Sequence, residues 1–194
     1  MKKMTVCFQK QPQGWLYPTH LNLKQCYGFS LPDNLTVAGN LDLTLADIKQ
    51  LPSGLIVQGD LILNGTEVRA LPADLCVLGS LLLRYTKLFA LPHGLNIPGA
   101  LDASYSKLRQ VPHDLKLGGA LHLAGCRLEQ LPVGMVVQGE LDLSHSKLNA
   151  LPRHLRVLGN LNITGCKFLT LPPDLDVQGD ILGFSTINYA RQVS

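Results

Sequence analysis

Charged side chains are scarce in this chain of 194 residues, at 16%, and aromatic side chains are scarcer still, at 6%. Disordered chains combine high charge with few apolar residues, whereas 46% of this sequence is hydrophobic, so a continuous buried core is expected. The formal net charge of +3 is too small to assign a nucleic acid or a membrane surface as the partner. The composition therefore predicts a folded domain whose ligand must be sought in the pattern of the sequence.

Long apolar runs are also missing. No run of about 20 apolar residues occurs, so the sequence predicts no membrane span. Lys2 and Lys3 lie near the start, but no apolar stretch of roughly 7–15 residues follows them. We therefore expect no cleaved secretory signal peptide.

Cysteine is limited to five residues, and three of them, Cys26, Cys126 and Cys166, share one phase of a 20-residue period. If successive coils stack about 4.8 Å apart, Cys126 and Cys166 lie about 10 Å apart, too far for a disulfide. A zinc site needs closer ligands as well. The sequence favours small buried thiols in a reducing compartment and no metal.

Leu-Pro, by contrast, recurs with a period of 20 residues. It stands at residues 31, 51, 71, 91, 131, 151 and 171, and Val111-Pro112 fills the gap in the series. A fixed period of about 20 to 50 residues indicates a repeat architecture. One unit reads L-P-x-x-L-x-V-x-G-x-L-x-L-x-x-T-x-L-x-x, and unit positions 1 to 20 are counted from its Leu.

The unit has the period of strands and not of helices. Apolar residues at positions 5 and 7, and again at 11 and 13, alternate with polar ones, which predicts two short strands per coil. Position 9 is glycine in every full unit, so the backbone is expected to bend there or to pass close to the next coil. Proline is expected to pre-set the first dihedral angle of a turn that closes each coil. The fold class is a mainly β repeat solenoid of about nine 20-residue coils with little helix.

The pattern also predicts boundaries. Residues 31–180 form the solenoid, and residues 1–30 form an amino-terminal cap with a degenerate first repeat, in which Trp15 and Tyr17 replace the usual Leu and Val. Residues 181–194 form a carboxyl-terminal cap and tail, where Ile187 and Tyr189 flank Asn188 at position 18.

Residues 61–68, followed by Leu71-Pro72, resemble the leucine-rich repeat, L-x-x-L-x-L-x-x-N/C-x-L. The 20-residue unit with Leu-Pro resembles the short repeats of secreted effectors of Gram-negative pathogens, a group that includes the invasion-plasmid-antigen class of ubiquitin ligases. The resemblance covers about 160 of the 194 residues. It implies a leucine-rich repeat-like solenoid of bacterial origin, in the bacterial cytoplasm or secreted into a host cell without a cleaved signal peptide, and does not imply ligase activity. It also implies that positions 10, 12 and 14 line a concave, ligand-facing sheet.

Two columns on that face carry candidate partner-binding residues. Ile62 and Leu82 at position 12, with Arg84, Tyr85 and Tyr105 beside them, have the composition of a binding hot spot. The alternative is a set of tolerated apolar surface residues.

Asp102, His122 and Asp142 follow one another in the position-12 column. Their spacing permits a carboxylate–imidazole pair or a metal site, but no nucleophile accompanies them, so an exposed charge ladder and no enzymatic activity are expected. His93 and His113 share position 3 in adjacent coils and are expected to be ordinary turn histidines, with a two-histidine surface site as the alternative.

Cations recur at position 17 in five successive coils: Lys87, Lys107, Arg127, Lys147 and Lys167. Stacked cations repel one another, so this basic stripe serves either an anionic partner or solubility and protection of the sheet surface. Sparse aromatic residues do not favour nucleic acid.

The sequence as a whole predicts a protein-interaction module that binds a protein through the concave face, without a cofactor. The alternatives are a structural solenoid that stacks end to end into oligomers, and a polyanion-binding protein that uses the basic stripe.

Overall fold

A computed structural model describes residues 2–3, 6–167 and 170–184. Over these residues the chain is a β-solenoid of about eight turns, built from coils of about 20 residues with parallel strands and no helix. The predicted fold class is confirmed. The predicted features at Ile187, Asn188 and Tyr189 lie outside the described residues.

Among the described residues, one side of the solenoid is a continuous parallel sheet of nine strands, here called sheet A. Each strand occupies positions 11 and 12 of its unit, and successive strands pair in a register of 20 residues, as in Leu81 with Leu101. The strands are Leu21–Asn22, Leu41–Asp42, Leu61–Ile62, Leu81–Leu82, Leu101–Asp102, Leu121–His122, Leu141–Asp142, Leu161–Asn162 and Ile181–Leu182.

A second side carries the other strand of each coil, at positions 6 and 7. These strands are Leu35–Val37, Ile56–Val57, Cys76–Val77, Asn96–Ile97, Lys116–Leu117, Val136–Val137, Arg156–Val157 and Asp176–Val177. They pair in parallel in three separate runs, the first of which also includes Gln9–Gln11 and Gly14–Tyr17. Two short strands per coil are therefore confirmed. The third side is irregular, with isolated parallel bridges between Ala90, Gln110 and Gln130.

A short hairpin precedes the first regular coil. Gln9–Gln11 pairs antiparallel with Gly14–Tyr17, which in turn pairs parallel with Leu35–Val37. Trp15 and Tyr17 are partly buried against the core. Lys2–Lys3 pairs with Cys26–Tyr27. The described residues contain no helix long and apolar enough to cross a membrane.

The core is made of leucine columns that run along the solenoid axis. Leu61, Leu81, Leu101, Leu121 and Leu141 at position 11 are fully buried. The predicted apolar positions 1, 5, 7, 13 and 18 supply the other large buried side chains. A single coil has no second layer to cover its apolar side chains, so the core exists only because coils stack.

The position-9 glycines allow coils to touch backbone to backbone, as predicted. A Cβ atom on Gly159 would lie 2.8 Å from the carbonyl carbon of Gly139, closer than side chains approach backbone atoms. The Gly159 N–H donates a hydrogen bond to the Gly139 carbonyl across the same contact, at 3.1 Å. Contact between coils, and not an unusual backbone conformation, is the reason for glycine here.

The Leu-Pro turn has two forms. In coils with Asp at position 4, such as Asp114, the Leu115 N–H donates to the Pro112 carbonyl at 3.3 Å. Proline is thus the first residue of this turn and not the second, which corrects the expected role of its fixed dihedral angle. In other coils position 4 has positive φ, as at Gly94 and His154.

Candidate functional site

A stacked pair of tyrosines is exposed in the turns that follow two neighbouring strands of sheet A. Tyr85 and Tyr105 are 60% and 46% exposed, and their rings lie parallel within 7°, with centroids 5.1 Å apart. The Arg84 guanidinium carbon lies 5.9 Å from the centre of the Tyr85 ring, and Arg84 Nε is 3.7 Å from Asp102 Oδ2. The structure therefore brings together Arg84, Tyr85 and Tyr105, three of the predicted binding residues. The ion pair of Arg84 links them to Asp102 in the position-12 column.

Both tyrosines belong to a column in which the backbone adopts the left-handed conformation. Position 15 has φ between 55° and 76° in eight successive coils: Gln25, Leu45, Gly65, Tyr85, Tyr105, Gly125, His145 and Gly165. This conformation is unfavourable for residues with a Cβ by roughly 1–2 kcal/mol, and glycine is its usual occupant. A residue with a bulky side chain at this position therefore has a less favourable backbone conformation than glycine would have.

Glycine in this column also makes room for a neighbour. A Cβ atom on Gly125 would lie 2.6 Å from the Tyr105 ring, and one on Gly65 would lie 2.5 Å from the Leu45 side chain. Leu45, Tyr105 and His145 thus each lie over a glycine of the next coil, and the Tyr85 ring stacks on the Tyr105 ring. Sequence reasoning missed this arrangement, although the glycines at positions 65, 125 and 165 were the signal for positive φ.

Ile62 and Leu82 are half-buried and do not face solvent as fully as expected. They pair in register with each other, and Leu82 also pairs with Asp102. Neighbouring side chains in the same column shield each of them, because adjacent strands of a sheet are only about 4.8 Å apart. They supply apolar surface beside Arg84 and Tyr85 and do not project as anchors.

Asp102, His122 and Asp142 are in register on adjacent strands, as predicted. Together with Arg84 and Tyr105 they line a polar cleft of about 310 Å³. One carboxylate oxygen of each Asp is already engaged, because Asp102 Oδ1 accepts the Ser104 N–H and Asp142 Oδ1 accepts the Ser144 N–H, both at 2.9 Å. These hydrogen bonds hold the backbone just after each of the two strands. We call the surface formed by Ile62, Leu82, Arg84, Tyr85 and Tyr105, together with this adjoining cleft, the tyrosine patch.

Position 10 was expected to face a ligand, but its side chains mainly bond the coils together. Asn40 Oδ1 accepts the Asp60 N–H at 2.9 Å, and Asp60 Oδ1 accepts the Ser80 N–H at 2.7 Å. Ser80 Oγ continues the series to the Ala100 N–H at 3.1 Å. A side-chain oxygen that accepts a hydrogen bond from the backbone of the next coil is less available to bind a ligand.

The basic stripe is largely solvent-exposed. Lys87 is partly exposed and pairs with Glu67, and the hydrogen bond from Lys87 is the largest cause of the lowered pKa of that carboxyl. Within the described part of the chain, Lys107, Arg127, Lys147 and Lys167 are exposed and form no ion pair. Lys107 and Arg127 border a cleft of about 300 Å³ with Phe89, which is 56% exposed.

His93 and His113 face each other across adjacent Leu-Pro turns, with ring centroids 5.8 Å apart. The structure adds a third group that the sequence reading missed, because Asp114 Oδ1 lies 3.3 Å from His93 Nδ1. The pKa of Asp114 is lowered: desolvation raises it, but hydrogen bonds from the Gly94 N–H, its own backbone and His93 together outweigh that effect.

None of the five cysteines, all of which lie in the described ranges, forms a disulfide. Cys126 is buried, and its thiol donates to the Ala103 carbonyl of the preceding coil at 3.0 Å. Burial raises the pKa of Cys126, although Ser106 partly offsets this through a hydrogen bond. A buried, protonated thiol is unreactive, so Cys126 serves packing between coils.

The fold defines the class to which the protein belongs, a parallel β-solenoid of 20-residue coils with leucine in the strands. No protein-family model matches the chain, and no curated protein matches it either.

Proposed function

We propose that the protein is an interaction module that binds a protein partner through the tyrosine patch. The observation that carries this proposal is the exposed, stacked Tyr85–Tyr105 pair on strained backbone. Tyrosine and arginine dominate binding hot spots, because they bury a large area and also form hydrogen bonds. Tyr85, Tyr105 and Arg84 provide both on one surface.

The fold does not require a tyrosine at position 15. Gly65, Gly125 and Gly165 fill the same position in other coils at no conformational cost, so the solenoid does not need a tyrosine there. Gln25, Leu45 and His145 carry the same strain, so the tyrosines are distinguished by their stacked and exposed rings. The stack itself contributes about 0.5–1.5 kcal/mol, which offsets the strain without producing a clear gain in stability.

The charges indicate the chemistry of the partner. Arg84 Nε is 3.7 Å from Asp102 Oδ2, and the side chain of Arg84 is 47% exposed, so its guanidinium retains donors that face solvent. The cleft beside Tyr105 presents His122 and the free oxygen of Asp142. A matching partner presents an apolar or aromatic side chain to the rings and a mixed polar rim to this cleft.

Replacing the tyrosines by glycine is expected to remove binding while the fold is retained. Tyr85→Gly and Tyr105→Gly should each weaken the complex by about 2 kcal/mol, or roughly 30-fold in Kd. Stability should change by less than about 1 kcal/mol, because the lost stacking is offset by relief of the left-handed conformation. The measurement is affinity capture from bacterial and from eukaryotic lysates, followed by calorimetry with the purified captured protein.

Leu45→Gly is the matched control. Leu45 is 53% exposed and has φ of 55°, so the change relieves the same strain at the same unit position outside the patch. It should leave the affinity unchanged. Retention of the partner by both tyrosine variants would show that the patch does not bind it.

We also propose a narrower identity from the resemblance to short leucine-rich repeats: a bacterial effector delivered into a host cell. The two lysates distinguish this idea from a role inside the bacterium, since an effector finds its specific partner in the eukaryotic one. End-to-end stacking of the solenoid stays a prediction, and the amino-terminal hairpin already covers one of the strand edges that such stacking would use.

Polyanion binding is the second candidate function, because four exposed cations of the basic stripe lie in register without counter-charges among the described residues. If the stripe binds a polyanion, replacing Lys107, Arg127 and Lys147 by Gln should make the negative slope of log K against log salt shallower by roughly 2.7 for duplex DNA. The control replaces Lys24, Lys116 and Arg153, which are exposed elsewhere, with the same change in net charge. Equal slopes for the two triple variants would eliminate the stripe as a polyanion site.

A further inference from the structure

We propose that His93, His113 and Asp114 form a surface site for a divalent transition metal, with Zn²⁺ as the best match. This site lies at the Leu-Pro turns, away from the tyrosine patch, and its argument does not depend on the proposed function. It replaces the expectation of two ordinary turn histidines.

The three side chains already converge. One ligand atom from each lies within 4.8 Å of the other two, and His93 Nδ1 and Asp114 Oδ1 are 3.3 Å apart. A tetrahedral zinc site places its ligand atoms about 3.4 Å apart, so one edge of the site has the right length. The His93 side chain is 77% exposed, so it has room to rotate towards the other two ligands.

The carboxylate is held in place by the backbone of the neighbouring coil. The Gly94 N–H donates to Asp114 Oδ2 at 2.9 Å, which leaves Oδ1 directed at His93. Metal-binding carboxylates are commonly oriented by such an outer hydrogen bond. Two coils therefore contribute to one site, and its geometry depends on the 20-residue register between their turns.

The donor set selects the kind of metal. Two imidazole nitrogens and one carboxylate oxygen suit Zn²⁺, Cu²⁺ or Ni²⁺, whereas Ca²⁺ and Mg²⁺ require oxygen ligands. Three protein ligands leave a coordination position open. His93 and His113 also line an adjoining cleft of about 440 Å³ with Leu91, Gln110 and Val111, so a fourth ligand has access.

A second turn of the same chain provides an internal comparison. His154 Nδ1 lies 3.1 Å from Asp174 Oδ2, which repeats the histidine–carboxylate pair without a second histidine. The neighbouring position-3 residues there are Arg153 and Pro173, neither of which binds a metal. This pair should bind zinc far more weakly.

The test is calorimetric titration of the full chain with ZnCl₂, in a Cys7→Ser background because Cys7 is an exposed thiol. One Zn²⁺ per chain is expected. His113→Ala and Asp114→Asn should each weaken binding at least about tenfold, since loss of an outer hydrogen-bond partner alone costs about 10–100-fold. His154→Ala is the matched control and should bind as the parent does.

A second measurement does not depend on the variants. In the parent protein, zinc should shift the ring resonances of two of the six histidines together, at one equivalent of metal. Absence of binding in the parent would overturn the proposal, as would unchanged affinity in both His113→Ala and Asp114→Asn, or equal loss in His154→Ala.

Discussion

Leu121→Ala is expected to lower the free energy of unfolding by about 3–4 kcal/mol. Leu121 is fully buried in the middle of sheet A, and it pairs in register with Leu101 and Leu141, which are also fully buried. Those neighbours cannot move into the space left behind, because backbone hydrogen bonds fix the distance between strands. The cost should therefore lie in the upper part of the range of about 2–5 kcal/mol for such substitutions.

Urea denaturation followed by circular dichroism measures this loss, with Ile181→Ala as the comparison. Ile181 occupies the same position in the last strand of sheet A, but it is 36% exposed and pairs with a strand on one side among the described residues. Its loss should stay near 1 kcal/mol. Similar losses at the two sites would contradict the idea that stacking on both sides generates the core.

Gly159→Ala is expected to destabilise the protein by about 3 kcal/mol, the upper end for an overpacked site. The added methyl group would lie 2.8 Å from both the Glu140 nitrogen and the Gly139 carbonyl carbon. Both are backbone atoms, so no side-chain rotation relieves the contact. The coils would have to separate, which would stretch the Gly159–Gly139 hydrogen bond and its neighbours.

Gly134→Ala separates this contact effect from the other consequences of replacing glycine. A methyl group on Gly134 meets no atom within 4 Å, and the site has φ of 72°. Its cost should be the conformational strain alone, about 1 kcal/mol. Thermal and urea unfolding of both variants would test the difference. An equal loss of unfolding free energy would mean that the coils adjust to the added methyl group at Gly159 at little cost.

The scaffold was readable from the sequence because the signals that specify it are local and repeated. The alternation around Leu101 and Leu121 gave the strands, and the glycine at position 9 gave the close contact between coils. Repetition turned a weak pattern in one coil into a strong one over eight. The register followed without further information, since a slip of one residue would expose the leucines.

The candidate sites were only partly readable, for a reason that lies in side-chain direction. Tyr85 and Tyr105 were recognised as neighbours. Their stacking depends on a left-handed backbone conformation, which the presence of a tyrosine in the sequence does not reveal. Asp114 was missed because it lies one unit position beyond His113, and its carboxylate is directed by an N–H of the preceding coil. Comparison of equal unit positions does not reveal contacts between different unit positions of neighbouring coils.

Glycines and bulky residues are mixed at position 15, which allows the exposed aromatic surface to change over evolutionary time. Tyr105 lies over Gly125, so the aromatic stack ends at that coil because of one small residue. Exchange of glycine and tyrosine at a single site per coil lengthens or shortens the exposed aromatic area in steps of about 4.8 Å. The core leucines take no part in that exchange, which leaves the exposed aromatic area free to vary while the scaffold stays the same.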